Sequence, residues 1–411
     1  MSAKKSKLLK NTLYLYILTF VKMIFPILTL PYLTRVLSID NYGLVAYVKS
    51  YNAYVQLIID FGFILSATKL IVRFKNDYSK VGRVTGNVLI EKAILVLLGI
   101  ISTIFLTEYL ELLGSNKLFV WLFFLSSVTT ILIPDFLFRG LERMEYVTIP
   151  FLISKTLVLI LTFVKVKGDA DLLYIPILEI LGNIIAASIS FYFIFRIRIG
   201  ISFDNYKIWI ADLKDSSIYF FSNFATTIFG TLTTLIVGVY LGKIEIAYWS
   251  ICMQIVAAVK SLYNPIVNSI YPYMLSVADL SLVRKISMLF AIPIFFGSVV
   301  ILFWGEAIMV LIGGTNFYQA GEVLKMLLPV FIASFYSMLI GWPVLGTRGM
   351  EKETTVTTMK SAVLQIAGIA LLISINQFEL TTLAICCSIS EVYLLISRLF
   401  LLGKLKSGDR R

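Results

Sequence analysis

No histidine occurs anywhere in this 411-residue chain. Its absence removes the usual switch at physiological pH, the commonest metal ligand and every triad built on imidazole. Cysteine is nearly absent as well: Cys252, Cys386 and Cys387 all sit in apolar runs. Adjacent Cys386 and Cys387 have no metal-motif spacing, and three thiols build no disulfide framework, so they read as small buried hydrophobes. Charge is scarce, with Asp, Glu, Lys and Arg making up 15% of residues. The G-x-x-x-x-G-K-[ST] phosphate loop is missing, and no carboxylate cluster lies outside the apolar runs. Neither nucleotide hydrolysis nor glycosyl transfer has a centre here. The expectation is a protein that is not an enzyme and holds no cofactor and no metal.

What the chain has in abundance is hydrocarbon. Hydrophobic residues make up 59% of it, in long runs such as Ile94–Phe105, Leu118–Leu132 and Leu289–Phe303 that contain no charge. A soluble domain this apolar could not cover its surface with polar groups. A bilayer-spanning helix needs about 20 mainly apolar residues, and alternating barrel segments of about ten are not found. The spacing predicts about twelve spanning helices, near 11–33, 44–66, 84–107, 118–138, 147–166, 172–195, 217–241, 246–275, 284–305, 324–345, 360–376 and 380–402. Pro265 and Pro272 predict a kink or an early end in the eighth. The first run is too long for a signal sequence and contains Lys22 and Pro26, so it reads as a retained helix.

Basic residues orient these helices. With the N-terminus inside, 25 Lys and Arg fall on the cytoplasmic side, 6 on the other and five lysines within helices. That asymmetry obeys the positive-inside rule and places both termini in the cytoplasm. The net charge of +12 then faces anionic lipid rather than nucleic acid. The fold class is all-α integral membrane. Two six-helix bundles, 1–200 and 217–411, flank an amphipathic cytoplasmic linker, 201–216, which contains Trp209. A faint repeat supports two halves: Leu37-Ser38-Ile39-Asp40-Asn41-Tyr42 follows the first helix, and Leu241-Gly242-Lys243-Ile244-Glu245-Ile246 follows the seventh.

Charges at membrane depth cost about 2.5–3.5 kcal/mol each on insertion scales, so they mark cavities or partners. Lys49, Asn52, Gln56 and Asp60 fall within an arc of about 80° on the second helix. Lys260, Asn264 and Asn268 share a face of the eighth. Lys22 lies in the first helix, Lys155 in the fifth, Glu179 and Asn183 in the sixth, and Glu391 in the twelfth. Together they predict a cation-rich, water-filled cavity between the halves. The alternative is that these lysines snorkel or pair with carboxylates, Asp60 then meeting Lys22 or Lys155, since Lys49 is too far from it on one straight helix.

Four stretches carry a resemblance. They are LTLPYLTRVLSIDNYGL (Leu28–Leu44), DFGFILSATK (Asp60–Lys69), PDFLFRGLERMEY (Pro134–Tyr146) and GTRGMEK (Gly346–Lys352). The chain resembles the Wzx-type polysaccharide flippases of the exporter superfamily that also holds the MATE drug exporters and the lipid II flippases. Asp135 stands where that family usually has Trp, and Arg139 where Gln is common. The resemblance implies a MATE-like architecture in the bacterial inner membrane. It also implies a polyprenyl-pyrophosphate-linked oligosaccharide as substrate, moved by alternating access with ion-gradient coupling. Lys22, Lys49, Lys155 and Lys260 are then the pyrophosphate-binding candidates. Asn52, Gln56, Asn264 and Asn268 are the sugar-contacting candidates, and Asp60, Glu179 and Glu391 the coupling candidates. Membrane lipids, a polysaccharide polymerase and chain-length proteins are the expected partners. A MATE-like cation or drug antiporter is the alternative, and it would want carboxylates where this chain has lysines.

Overall fold

The computed structural model describes residues 2–277 and 280–408; within them the side chains of 2–9, 222, 225–230, 268, 271–273, 275–277 and 405–408 are not described. Lys4, Lys5, Lys7, Lys406, Arg410, Arg411, Asn268 and Pro272 therefore lie outside the described side chains. The chain divides into two compact units, Met1–Val239 and Tyr240–Arg411. Every regular element among the described residues is helical.

The first unit opens with α1 (Ser2–Val36), α2 (Ile39–Asp60), α3 (Phe63–Phe74) and α4 (Tyr78–Tyr109). It continues through α5 (Glu111–Gly114), α6 (Lys117–Thr129), α7 (Asp135–Gly140), α8 (Glu145–Lys165), α9 (Tyr174–Ile197) and α10 (Tyr206–Tyr240). The second holds α11 (Lys243–Val277), α12 (Leu280–Gly313), α13 (Ala320–Met326), α14 (Leu328–Ile340), α15 (Glu351–Ser374) and α16 (Leu380–Gly408). Among the described residues eleven helical spans are long and apolar enough to cross a membrane, and the shorter Thr231–Tyr240 is an apolar part of α10. Large apolar side chains stand outward, with Phe195 74%, Leu311 72% and Phe303 68% exposed. In water such a surface would aggregate; in lipid it is the solvated face.

Several boundaries differ from the sequence reading, each for a local reason. The second span does not end near 66 but breaks and resumes. Phe61 (φ 38°) and Gly62 (φ 80°) are left-handed, which closes α2 and starts α3 within one span, Ile39–Phe74. Gly62 is required twice over, since a Cβ there would lie 2.6 Å from the Tyr219 Cβ. The fourth span, expected to run unbroken near 118–138, breaks at Pro134, and Asp135–Gly140 forms the separate α7. The stretch Phe203–Leu213 is not a separate interfacial helix: from Tyr206 it is the first part of the 35-residue α10. The eighth helix does not stop at Pro265 and runs on to Val277. Trp304 (φ −122°, ψ 20°) interrupts α12.

The two halves of the faint repeat are both helix starts. Ser38 caps α2, its Oγ accepting from the Asn41 N–H at 3.3 Å, with Asp40 in the first turn. Glu245 occupies the first turn of α11. Both place acid where the helix dipole favours it. Gly82 and Gly86 of α4 allow a close approach of backbone. A Cβ at Gly82 would lie 1.8 Å from the Gly200 carbonyl oxygen, and one at Gly86 would lie 2.2 Å from that of Ser202. Asn87, one residue on, is 2% exposed. Its Oδ1 accepts from the Asp204 N–H at 2.9 Å and the Trp209 indole at 3.2 Å. Its amide donates to the Asp204 carboxylate at 3.1 Å. The segment before α10 is thereby held against α4.

Candidate functional site

The polar face of α2 is satisfied largely inside the first unit. The Ser127 hydroxyl donates to Asn52 at 3.0 Å. The Gln56 amide donates to Asp60 at 2.9 Å and to the Thr130 hydroxyl at 2.9 Å. Asp60 does not pair with Lys22 or Lys155, as its place in the sequence suggested; its partner is Lys92 of α4, at 2.7 Å. Lys92 is only 5% exposed, so the pair supplies the countercharge that a buried ammonium demands. Lys49, at the start of the same face, is exposed.

Two further pairs lie at membrane depth. Lys155 of α8 donates to Glu179 of α9 at 2.5 Å. In the second unit, Lys260 of α11 donates to Glu391 of α16 at 2.9 Å, and the Ser337 hydroxyl of α14 donates to the same carboxylate at 3.4 Å. Each carboxylate named as a coupling candidate thus holds a lysine. Asn183 donates to the Ser126 carbonyl at 2.8 Å and to the Thr129 hydroxyl at 3.1 Å. Asn264 is exposed on α11.

The remaining charges of the first unit form a network with surplus cation. Lys22 lies within electrostatic range of Asp135, Arg139, Asp60 and Lys155. Lys49 is within range of Glu179 and Lys155, and Asp135 of Arg139, Lys22, Lys92 and Asp60. The cations are Lys22, Lys49, Lys92, Lys155 and Arg139; the anions are Asp60, Asp135 and Glu179. Lys92 and Lys155 are neutralised by their partners. Among the described residues Lys22, Lys49 and Arg139 make no ion pair. Lys22 rests 5.3 Å from the centre of the Phe151 ring. The Arg139 Nε is buried with no acceptor, an orphan donor of the kind an incoming anion would satisfy.

Sequence reasoning missed Lys92, Asp135, Arg139 and Arg398 as members of polar sites. Lys92 adjoins Glu91 just before the long apolar run that begins at Ala93, so the only signal was its depth. Arg139 read as a cytoplasmic loop residue because the break at Pro134 was not foreseen. Arg398 read as a cytoplasmic end, yet it is 7% exposed. Its guanidinium donates to the Ser337 carbonyl at 2.6 Å and the Thr358 hydroxyl at 3.0 Å. The π-helical turn Gly341–Leu345 makes room for it: a Cβ on Gly341 would lie 2.8 Å from its Nη1.

Comparison with known proteins bears on this arrangement. The chain is 27% identical over 396 residues to the "Putative O-antigen transporter" of Escherichia coli (strain K12), an alignment covering 93% of this chain and 92% of that one. Among solved structures it superposes on the lipid II flippase MurJ in an inward closed conformation. The TM-score is 0.68 at 14% identity, over 96% of this chain and 87% of that one. It also superposes on a multidrug resistance MATE family transporter of the MOP superfamily in an inward-facing conformation. There the TM-score is 0.63 at 13% identity, over 94% and 99% of the two chains. At these identities the structural likeness establishes the fold, which is that of the MOP-superfamily transporters. Residues 8–278 match the family described as polysaccharide biosynthesis protein, and the chain, with its charged helices in that fold, belongs to this family.

Proposed function

We propose that this protein is a flippase that moves a polyprenyl-pyrophosphate-linked oligosaccharide from the cytoplasmic to the outer leaflet of the bacterial inner membrane. Family membership and the O-antigen transporter relative support the substrate class. The observation that carries the reading is the surplus of unpaired cation in the first unit, Lys22, Lys49 and Arg139 against Asp135. A pyrophosphate leaving water loses strong hydration, and it needs fixed positive donors in exchange. An ammonium at Lys22 or Lys49 and the guanidinium of Arg139 supply them. Lys155 in the first unit and Lys260 in the second can each offer an ammonium to an anion by exchanging a carboxylate for a phosphate. The amides of Asn52, Gln56, Asn264 and Asn268 suit sugar hydroxyls. The polyprenyl tail stays in lipid, against the apolar outer faces.

Coupling to an ion gradient fits the lysine–carboxylate pairs. Asp60, Glu179 and Glu391 each release a lysine when they take up a cation or proton, which changes the charge offered to substrate and biases one facing state. A cation exporter on the same fold would need unpaired carboxylates where this chain leaves cations unpaired. A polysaccharide polymerase and chain-length proteins remain the proposed partners.

The test uses cells lacking the protein, with the leaflet location of the lipid-linked oligosaccharide read by an impermeant glycan label. Substrate should accumulate on the cytoplasmic side. Wild type should reverse this, and Lys49→Ala and Arg139→Ala at equal membrane levels should not. Normal export without the protein, or full rescue by both variants, contradicts the proposal.

A further inference from the structure

A charged cavity lies in the first unit and includes none of the transport candidates. Its volume is about 430 Å³, and its walls are α3, α4 and the first part of α10. A water molecule occupies about 30 Å³ of the liquid, so the space is sized for a larger guest. Lys69 and Arg73 on α3 face it together with Glu91 on α4 and Asp212 and Asp215 on α10. Lys69 and Arg73 are i and i+4, one above the other on the same helix face. At the floor, Ser66 and Ser216 join their hydroxyls at 2.7 Å.

None of these five charges is in an ion pair with a described residue. Glu91 is the extreme case: it is 0% exposed, and neither carboxylate oxygen has a hydrogen-bond partner. Adjacent residues on a helix point about 100° apart, so Glu91 turns to this cavity while Lys92 turns to Asp60. An orphaned buried carboxyl is costly unless something donates to it. Burial, reinforced by neighbouring Asp215 and Asp204, holds the Asp212 carboxyl above its ordinary range, as is expected where no cation sits beside it. Among the described residues no group of carboxylates is arranged to hold a metal ion. A guest complementary to these walls carries N–H donors with positive charge at one end and phosphate-like charge at the other.

We propose that this cavity binds a zwitterionic head group in which a primary ammonium and a phosphate are joined by a short link, as in an ethanolamine phospholipid. The ammonium gives its protons to Glu91 and Asp212, and the phosphate meets Arg73 and Lys69. Arginine's planar fork suits phosphate oxygens in pairs. The basic stretch that holds Lys69 and Arg73 is the one expected at the cytoplasmic surface, so the mouth meets that leaflet's head groups. Ile218, 74% exposed at the rim, and Leu70 offer apolar ground for acyl chains.

The test is titration of the delipidated full-length protein in detergent, read by native mass spectrometry, with lipids of identical acyl chains. Phosphatidylethanolamine should bind about tenfold tighter than phosphatidylcholine, which keeps the phosphate but has no N–H donor, and than phosphatidylglycerol, which has no amine. Glu91→Gln and Asp212→Asn should each remove most of that preference, whereas Arg73→Gln, which loses a phosphate contact common to the three lipids, should weaken all three about equally. Asp212 is only half-buried, so its variant keeps the test valid if Glu91→Gln does not fold. Competition by free phosphoethanolamine separates the head group alone from the whole lipid as the recognised species. Equal affinity of wild type for the three lipids, or a preference unchanged in both carboxylate variants, overturns the proposal. Either result leaves the transport reading untouched, since Lys22, Lys49 and Arg139 are not part of this cavity.

Discussion

At the scale of single residues, the membrane-depth charges differ in what surrounds them, and that difference predicts their behaviour. Lys92 and Asp60 are mutually dependent. Lys92→Met leaves Asp60 without its countercharge and should lower the melting temperature in detergent. The loss should be about 1–3 kcal/mol, because Asp60 retains partial access to solvent and its bond from Gln56. The double variant Lys92→Met with Asp60→Asn should recover most of it, and a thermal-shift measurement on the three proteins checks both statements. Lys49, by contrast, is exposed and unpaired, so Lys49→Ala should leave stability unchanged while impairing transport. Arg398 belongs with the first kind. Arg398→Lys cannot reach the Ser337 carbonyl and the Thr358 hydroxyl together, and it should cost about 1–2 kcal/mol.

At the scale of elements, the segment before α10 is fixed to α4 by contacts that discriminate sharply between glycines. Gly82→Ala should destabilise by about 1–3 kcal/mol, since its Cβ would overlap the Gly200 carbonyl, whereas Gly200→Ala meets open space and should be neutral. Asn87→Ala should raise amide hydrogen exchange in 201–209 without unfolding the rest, because three hydrogen bonds to that segment depend on one side chain. Asp212 adds a pH signature. Its folded carboxyl binds a proton more tightly than the unfolded one, so stability falls as pH rises from the ordinary carboxylate range through the raised value, and is flat above it. In lipid-free detergent, Asp212→Asn should therefore melt higher than wild type at pH 7, with the advantage shrinking as pH drops below that window.

At the scale of the whole molecule, lipid explains which features were readable in sequence. A span must be long and apolar, so the number and approximate places of the helices could be read from hydropathy alone. Breaks inside a span could not. The Asp60–Lys69 stretch read as a helix ending, because the left-handed turn at Phe61 and Gly62 is decided by what Tyr219 and Phe220 leave room for. The polar face of α2 was legible because helical period alone places it. Its partner Lys92 was not, because pairing depends on how α4 packs against α2. Arg139 escaped for the same reason, its site being made by a break at Pro134. The central claim is that a surplus of fixed cation carries a pyrophosphate-linked glycan through this fold. Its most direct test is transport by the purified protein in liposomes, with the lipid-linked oligosaccharide in one leaflet and its appearance in the other read by an impermeant glycan-cleaving enzyme. The account predicts transfer by wild type and at least a tenfold loss in a Lys22→Ala, Lys49→Ala and Arg139→Ala triple variant that reconstitutes normally. Equal transfer by that variant would contradict it.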